Sequence, residues 1–298
     1  MNGYRSIIII TGGTSGVGYH ASLYIAKNRP DSLIIIASRT SAGAAESINR
    51  ENRRNNVIYL PIDLSDRDDV RRFAAQLSSY PPISALVLNA GLQITSGLFF
   101  TKDGIEKTLA VNHVGHALLF SLLKPKLTDD ARIVCTSSGM HDAEGKKRLP
   151  QPHYTSAAQL AHPTPSETNH TNMEGRRRYA VSKLCNILFT YALHRRFTQM
   201  KSPRRWTIIS MTPGLVPGTQ LARDASPFVR WIWNHILPWM IPIIRWAVPN
   251  THSAKESGEN LAKLVIDRDY TDTSGIYYDG LHQTATTKTN KKTCSNGP

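Results

Sequence analysis

The 298-residue sequence predicts one α/β domain: a doubly wound parallel sheet with helices on both faces. Three observations carry that prediction. Short apolar runs alternate with helix-forming stretches of ten residues or more along most of the chain, and strands joined through helices form parallel sheets covered on both sides. Right-handed crossovers then wind the sheet in both directions from its first strand. The length suits one sizeable core and is short for two.

Residues 6–11 read as a short buried strand. Four glycines in seven residues follow, at 12–18, and a helix is expected over 17–27. The second strand is placed at 33–37, the second helix at 42–55, the third strand at 57–61, the third helix at 66–79 and the fourth strand at 85–88. Residues 104–120 are mainly helical, with 124–127 at the exit. A strand at 131–136 and a long amphipathic helix at 178–198 come next, then a strand at 206–211, a helix at 254–266 and a last short strand at 275–278.

Two stretches break the rhythm. Residues 139–177, rich in His, Pro, Thr, Asn and Lys, read as an irregular insertion, and loops of that length usually serve function or are disordered. Residues 222–250 hold four of the five tryptophans (Trp231, Trp233, Trp239 and Trp246), divided by Pro227, Pro238, Pro242 and Pro249. This segment follows a Pro-Gly turn and is expected to act as a hydrophobic substrate lid, with contact to a membrane surface as an addition. The domain is thus expected over 1–283. The polar tail 284–298 is expected to be flexible, since it has almost nothing apolar to offset its ordering entropy.

Composition excludes several classes. With 40% hydrophobic and 19% charged residues the chain folds. The net charge of +14 raises nucleic acid as a partner. The basic residues are scattered, however, with only short clusters at Arg176–Arg178, Arg195–Arg196 and Arg204–Arg205. No finger or aromatic-basic repeat accompanies them, so a solvated basic surface is the reading and no nucleic-acid partner is expected. Cys135, Cys185 and Cys294 are odd in number and widely spaced, which gives neither a disulfide framework nor a metal signature and suits a reducing, cytoplasmic setting. His141, His153, His162 and His170, with Asp142 and Glu144, match no metal spacing, and no metal is expected. The apolar run near the amino terminus is too short for a signal sequence, and no run has bilayer length.

The glycine-rich turn lies between a strand and a helix, the context in which such a turn binds a dinucleotide. Gly12, Thr14, Ser15, Gly16, Val17 and Gly18 let backbone approach a diphosphate, and the helix that follows aims its free amides at it. The second strand ends in Ser38-Arg39 with no acidic residue, which favours a 2′-phosphate over bare ribose hydroxyls and hence NADP(H) over NAD. Asp63-Leu64 after the third strand could accept from the adenine amino group. Asn89-Ala90-Gly91 ends the fourth strand with small residues beside the cofactor, while Asn89 could also tie the sheet end together.

Tyr179 and Lys183 stand four apart on a helix and share a face. A phenol is a poor acid or base at neutral pH, and an ammonium beside it is expected to lower its pKa. Ser138, chosen over Ser137, lies at the carboxyl edge of the sheet and could bond a substrate oxygen. Asn112, an amide in an apolar helix, needs partners and could hold an ordered water relaying protons to Lys183. His113 and His116 are weaker candidates as bases, because nothing supplies the carboxylate or nucleophile of a histidine mechanism.

Together these elements resemble the short-chain dehydrogenase/reductase family, in family order over about residues 6–280: the 11–18 turn, Asn89-Ala90-Gly91, Asn112, Ser138, Tyr179-x-x-x-Lys183 and Pro213-Gly214. The resemblance implies a Rossmann-type fold. Tyr179 is implied as acid/base, Lys183 as the group that tunes it and binds nicotinamide ribose, Ser138 as the substrate-oxygen partner and Asn112 as organiser of a water relay. It adds Pro213, Gly214, Val216 and Thr219 to the cofactor contacts. Within the family the chain is similar to the retinol-dehydrogenase-like and WW-domain-oxidoreductase-like branch. Asn112-His113-Val114-Gly115-His116, the stretch from Ser182 to Phe189 and the forty-one positions from Ser138 to Tyr179 carry that likeness.

The implied activity is hydride transfer between nicotinamide and a carbonyl or alcohol of a small lipophilic substrate, a carbonyl reductase of the kind also found in secondary metabolism. Reduction of a polarised C=C bond, and a catalytically silent NADP-binding scaffold, are the alternatives. A homodimer through the helices of Asn112 and Tyr179 is compatible with the same residues.

Overall fold

In the computed structural model the described residues are 3–141, 151–164, 171–200, 203–219, 224 and 226–284. The strands are β1 (Ser6–Thr11), β2 (Ser32–Ser38), β3 (Val57–Pro61), β4 (Ile83–Leu88), β5 (Leu127–Thr136), β6 (Thr207–Thr212), β7 (Ile276–Asp279) and β8 (His282–Gln283). They form one sheet in the order β3-β2-β1-β4-β5-β6-β7-β8. All neighbours pair parallel except β7 with β8. The winding direction reverses between β1 and β4, and a crevice opens there at the carboxyl ends of the strands.

Strand alternation builds two cores. Ile7, Ile9 and Ile35 point to one face, where they meet Val70 and Phe73 of α3 (Arg67–Gln76), Leu119 and Phe120 of α5 (Gly115–Leu123) and Leu193 of α7 (Asn172–Gln199). Ile8, Ile10, Ile34 and Ile36 point to the other, against Ile25 of α1 (Gly16–Asn28), Ile48 of α2 (Ala44–Asn52) and Leu261 and Leu264 of α10 (Ala254–Ile266). Every residue of β1 is buried, as a central strand covered on both sides must be.

The structure extends several expected elements. The long helix starts at Asn172, six residues before the expected position, so the last part of the 139–177 insertion is helical. Thr171 caps it by accepting from the Glu174 amide at 3.3 Å, a Thr-x-x-Glu start signal. The insertion also carries a turn at Gly139–His141 and a short helix α6 (Ala157–Ala161). Leu160 and Ala161 pack over Leu109, Val181 and Cys185, so this chain itself covers that helix face. The helix expected at 104–120 starts as α4 (Lys107–Leu109) and passes through a π-turn at Ala110–Val114 into α5. The expected tail, apart from Thr284, lies outside the described residues. Among the described residues no helix is long and apolar enough to cross a membrane.

Candidate active site

One cleft of about 310 Å³ lies at the crevice, within the usual size of a ligand site. Gly12, Thr14, Ser15, Gly16, Val17, Gly18, Ser38, Arg39, Asp63, Leu64, Asn89, Ala90, Gly91, Ser138, Tyr179, Lys183, Pro213, Gly214, Val216 and Thr219 all line it. Of the expected site residues only Asn112 stands behind the wall. Sequence reasoning missed Thr40, Ser65 and Lys107, which also line the cleft but belong to no motif.

The glycine turn is shaped as a cradle. Gly12 has φ +67°, and a Cβ on it would lie 2.9 Å from Ala90 Cα; a Cβ on Gly18 would lie 2.2 Å from the Gly12 carbonyl oxygen. Only glycine permits both approaches. Ser15 precedes α1 but makes no side-chain cap bond, and the first turn of α1 holds no acidic residue. By contrast Asp66, Thr171 and Ser253 cap α3, α7 and α10. The amides of α1 are thus left for an anion in the cleft.

Arg39 is exposed on the cleft, and no ion pair ties it among the described residues. Beside it, Thr14 and Ser38 share a hydroxyl bond of 2.9 Å, and Ser38 donates to the Thr40 carbonyl at 2.7 Å. Asp63 Oδ1 accepts from the Ser65 amide at 2.9 Å and hydroxyl at 2.7 Å, which fixes the turn after β3. Asn89 does tie the sheet end: its Nδ2 donates to the Thr11 carbonyl at 2.9 Å, and its Oδ1 accepts from Thr136 at 3.2 Å.

Tyr179 and Lys183 both face the cleft from α7. Burial pushes the Tyr179 phenol up to about 12, against the pull of a hydrogen bond with Ser138. Burial brings Lys183 down to about 8. The ammonium donates to the Thr136 carbonyl at 3.0 Å and stands 5.7 Å from the centre of the Tyr179 ring. Desolvation is the largest influence on the phenol, and the ammonium is anchored on the Thr136 carbonyl.

Asn112 is fully buried. Its Oδ1 accepts from the Leu92 amide at 2.8 Å, and its Nδ2 donates to the Leu92 carbonyl and to Ser182 Oγ, each at 2.9 Å. The amide braces the wall of the cleft beside Gly91: a Cβ on Gly91 would meet Asn112 Oδ1 at 3.4 Å and Lys183 Nζ at 3.3 Å.

His116, set aside as a base, proves to be a structural pin. Its Nδ1 lies 3.1 Å from the Asn112 carbonyl oxygen, which only accepts, so Nδ1 carries the proton. Burial holds the ring down to about 3, hence neutral, and Nε2 accepts from the Thr11 hydroxyl at 2.9 Å. The alternative acceptor, the Val87 carbonyl, is farther at 3.2 Å. Thr11 Oγ1 in turn accepts from the amides of Asn89 and Ala90 at 2.9 and 3.1 Å. One neutral ring therefore joins the end of β1, the end of β4 and the helix of Asn112. His116→Leu is expected to lower stability by about 1–3 kcal/mol, because the Asn112 carbonyl and the Thr11 hydroxyl lose their bonds to the ring, read as the denaturant midpoint. An unchanged midpoint would remove the ring from this role.

Of the histidines weighed as metal ligands, His141, His153 and His162 are among the described residues. His141 donates Nδ1–H to the Ser138 carbonyl at 2.7 Å, and His162 donates to the Gly104 carbonyl at 2.9 Å. Among the described residues no three His, Cys, Asp or Glu side chains gather. His170, Asp142 and Glu144 lie outside the described residues.

Residues 226–250 make no part of the cleft lining. They pack on the outside of the Pro-Gly turn: Gly218 N–H donates to the Trp233 carbonyl at 3.0 Å, and Trp233 Nε1 donates to the Thr219 carbonyl at 2.9 Å. Residues 222, 223 and 225 of the expected lid lie outside the described residues. Asp224 accepts from the amides of Thr95 and Ser96 at 2.6 and 2.7 Å.

Comparison with known proteins decides the family. A model described as short chain dehydrogenase matches residues 6–158. The chain belongs to the short chain dehydrogenase family. It is 31% identical over 245 residues to a short chain dehydrogenase/reductase, dpchH, of Colletotrichum higginsianum, covering 76% of this chain and 58% of that protein. It is 32% identical over 220 residues to the human WW domain-containing oxidoreductase, covering 70% of this chain and 48% of the relative. The chain thus spans about half of these relatives' length. Among solved structures, a blue fluorescent protein from a metagenomic library, in complex with NADPH, superposes with a TM-score of 0.65 at 19% identity, over 94% of this chain and 99% of that one. That likeness shows the same Rossmann-type fold.

Proposed function

We propose that the protein is an NADP-dependent oxidoreductase that interconverts a carbonyl and an alcohol on a lipophilic substrate, with Tyr179 as the proton-transfer group. The observation that carries this reading is the buried Tyr179 phenol, which lines one cleft together with Ser138, Arg39 and the start of α1. The cradle of Gly12 and Gly18, the amides at the start of α1 and the Arg39 guanidinium, which has no ion pair among the described residues, fit a dinucleotide carrying a 2′-phosphate. When bound, that cofactor supplies a hydride to the carbonyl carbon. Tyr179 donates its proton to the carbonyl oxygen, Ser138 bonds the same oxygen, and the Lys183 ammonium keeps positive charge beside the phenolate left behind. Leu92 and Val216 give the catalytic end an apolar wall.

The two pKa directions set the pH dependence. The phenol stays protonated through the neutral range, whereas Lys183 loses its charge as pH rises through about 8. Purified protein should oxidise NADPH with a panel of lipophilic aldehydes and ketones. For reduction, kcat/KM should be flat on the acid side and fall as pH rises past about 8. No turnover with any carbonyl despite NADPH binding would favour the silent scaffold, and a rate that climbs steadily with pH would remove Lys183 from its role.

A further inference from the structure

Four tryptophans outside the cleft have no use in the proposed reaction. Trp231 ends α8 (Pro227–Trp231), Trp233 lies in a π-turn at Ile232–Ile236, Trp239 in the turn that follows it and Trp246 in α9 (Ile241–Ala247). The segment is firmly attached on its inner side. Trp233 bonds the Thr219 carbonyl, and Arg245 donates to the Thr251 carbonyl at 2.8 Å and to Glu256 at 2.7 Å. Several of its large apolar side chains are turned to solvent. Phe228 is 69% exposed, Ile243 67%, Trp239 86% and Trp246 91%. Large apolar side chains held outward on an ordered support form a surface that water solvates poorly, and such patches mark docking sites.

The charge pattern selects the occupant. Residues 226–250 contain no Asp or Glu; Arg245 pairs with Glu256, and Arg230 is exposed in a chain of net charge +14. A surface that is apolar, tryptophan-rich and without carboxylates complements anionic headgroups above hydrocarbon. The helices here are five and seven residues long, about 10 Å at most against a hydrocarbon core of about 30 Å, so the segment can lie on a bilayer and cannot cross one.

We propose that residues 226–250 dock this protein on the surface of an anionic lipid bilayer, with Trp239 and Trp246 seated at the interface. The segment is bonded to the Pro-Gly turn that borders the cleft, so docking sets the cleft beside the lipid. The docking does not depend on the proposed reaction, and its test reads no activity.

The test is flotation of the full chain with vesicles of phosphatidylcholine alone, and of phosphatidylcholine with about 30 mol% phosphatidylserine, at physiological salt. The protein should partition onto the anionic vesicles and leave the neutral ones largely free. Trp239→Gln with Trp246→Gln should lower that partition about tenfold or more. Both side chains are almost fully exposed, so the fold and the thermal midpoint should be unchanged. The proposal is overturned if the wild type floats with neither vesicle, or if the double variant binds as the wild type does. It is equally overturned if sedimentation shows a wild-type dimer that the double variant dissolves, which would make a second copy the occupant.

Discussion

Tyr179→Phe is expected to lower turnover by about a hundredfold to ten-thousandfold, the usual worth of a positioned acid, while NADPH still binds. The substitution removes one oxygen and its proton and leaves the ring in the same wall. The phenol contributes to the cleft at one end only, so the glycine turn, the start of α1 and Arg39 keep their geometry. Single-turnover rates and an NADPH fluorescence titration on the same variant separate the two effects. Lys183→Ala should damage both, because Lys183 lines the cleft and its ammonium is fixed on the Thr136 carbonyl beside the phenol. Near-normal turnover by Tyr179→Phe would mean that another group transfers the proton.

Arg39→Glu is expected to weaken NADPH about tenfold to a hundredfold and to leave NADH nearly unchanged. A hydrogen bond to a charged group is worth about 1.5–3 kcal/mol, and the new carboxylate adds repulsion to the loss. The expectation rests on a guanidinium that lines the cleft with no ion pair among the described residues, and on the neighbouring hydroxyls of Thr14 and Ser38. Dissociation constants for both cofactors measure it. Equal loss for NADPH and NADH would show that Arg39 acts on the fold of the turn and not on a 2′-phosphate.

Much of the architecture was legible because its signals are local. Strands β1 and β3 begin and end where their apolar runs do, and α10 spans its expected residues. The cleft residues were legible for a related reason. Topology carries the strand ends Thr11, Ser38, Asn89 and Thr136 to one edge, so motifs scattered through the sequence meet there.

What was not legible depends on neighbours brought from afar. The start of α7 was readable from Thr171-x-x-Glu174, but the polar run before it obscured the signal. A Tyr-x-x-x-Lys spacing fixes a shared helix face without fixing where the ammonium points. Here the Thr136 carbonyl of β5 takes it. His116 looked like a failed base because its partners, Thr11 and the Asn112 carbonyl, lie on one distant strand and on its own helix. Residues 226–250 showed their apolar content plainly, but which side chains turn outward is decided by how Trp233 and Pro238 sit on the turn at Gly218 and Thr219.

The central claim is a hydride delivered to a carbonyl carbon in this cleft. The direct measurement uses NADPH carrying deuterium at the transferable position of C4, with product analysed by mass spectrometry and NMR across ketones, aldehydes and enones of lipophilic character. The account predicts deuterium on the carbinol carbon of an alcohol product, formed at least about a hundredfold more slowly by Tyr179→Phe. Deuterium on the β-carbon of a saturated ketone, with the carbonyl intact, would contradict it and make the protein a reductase of polarised C=C bonds.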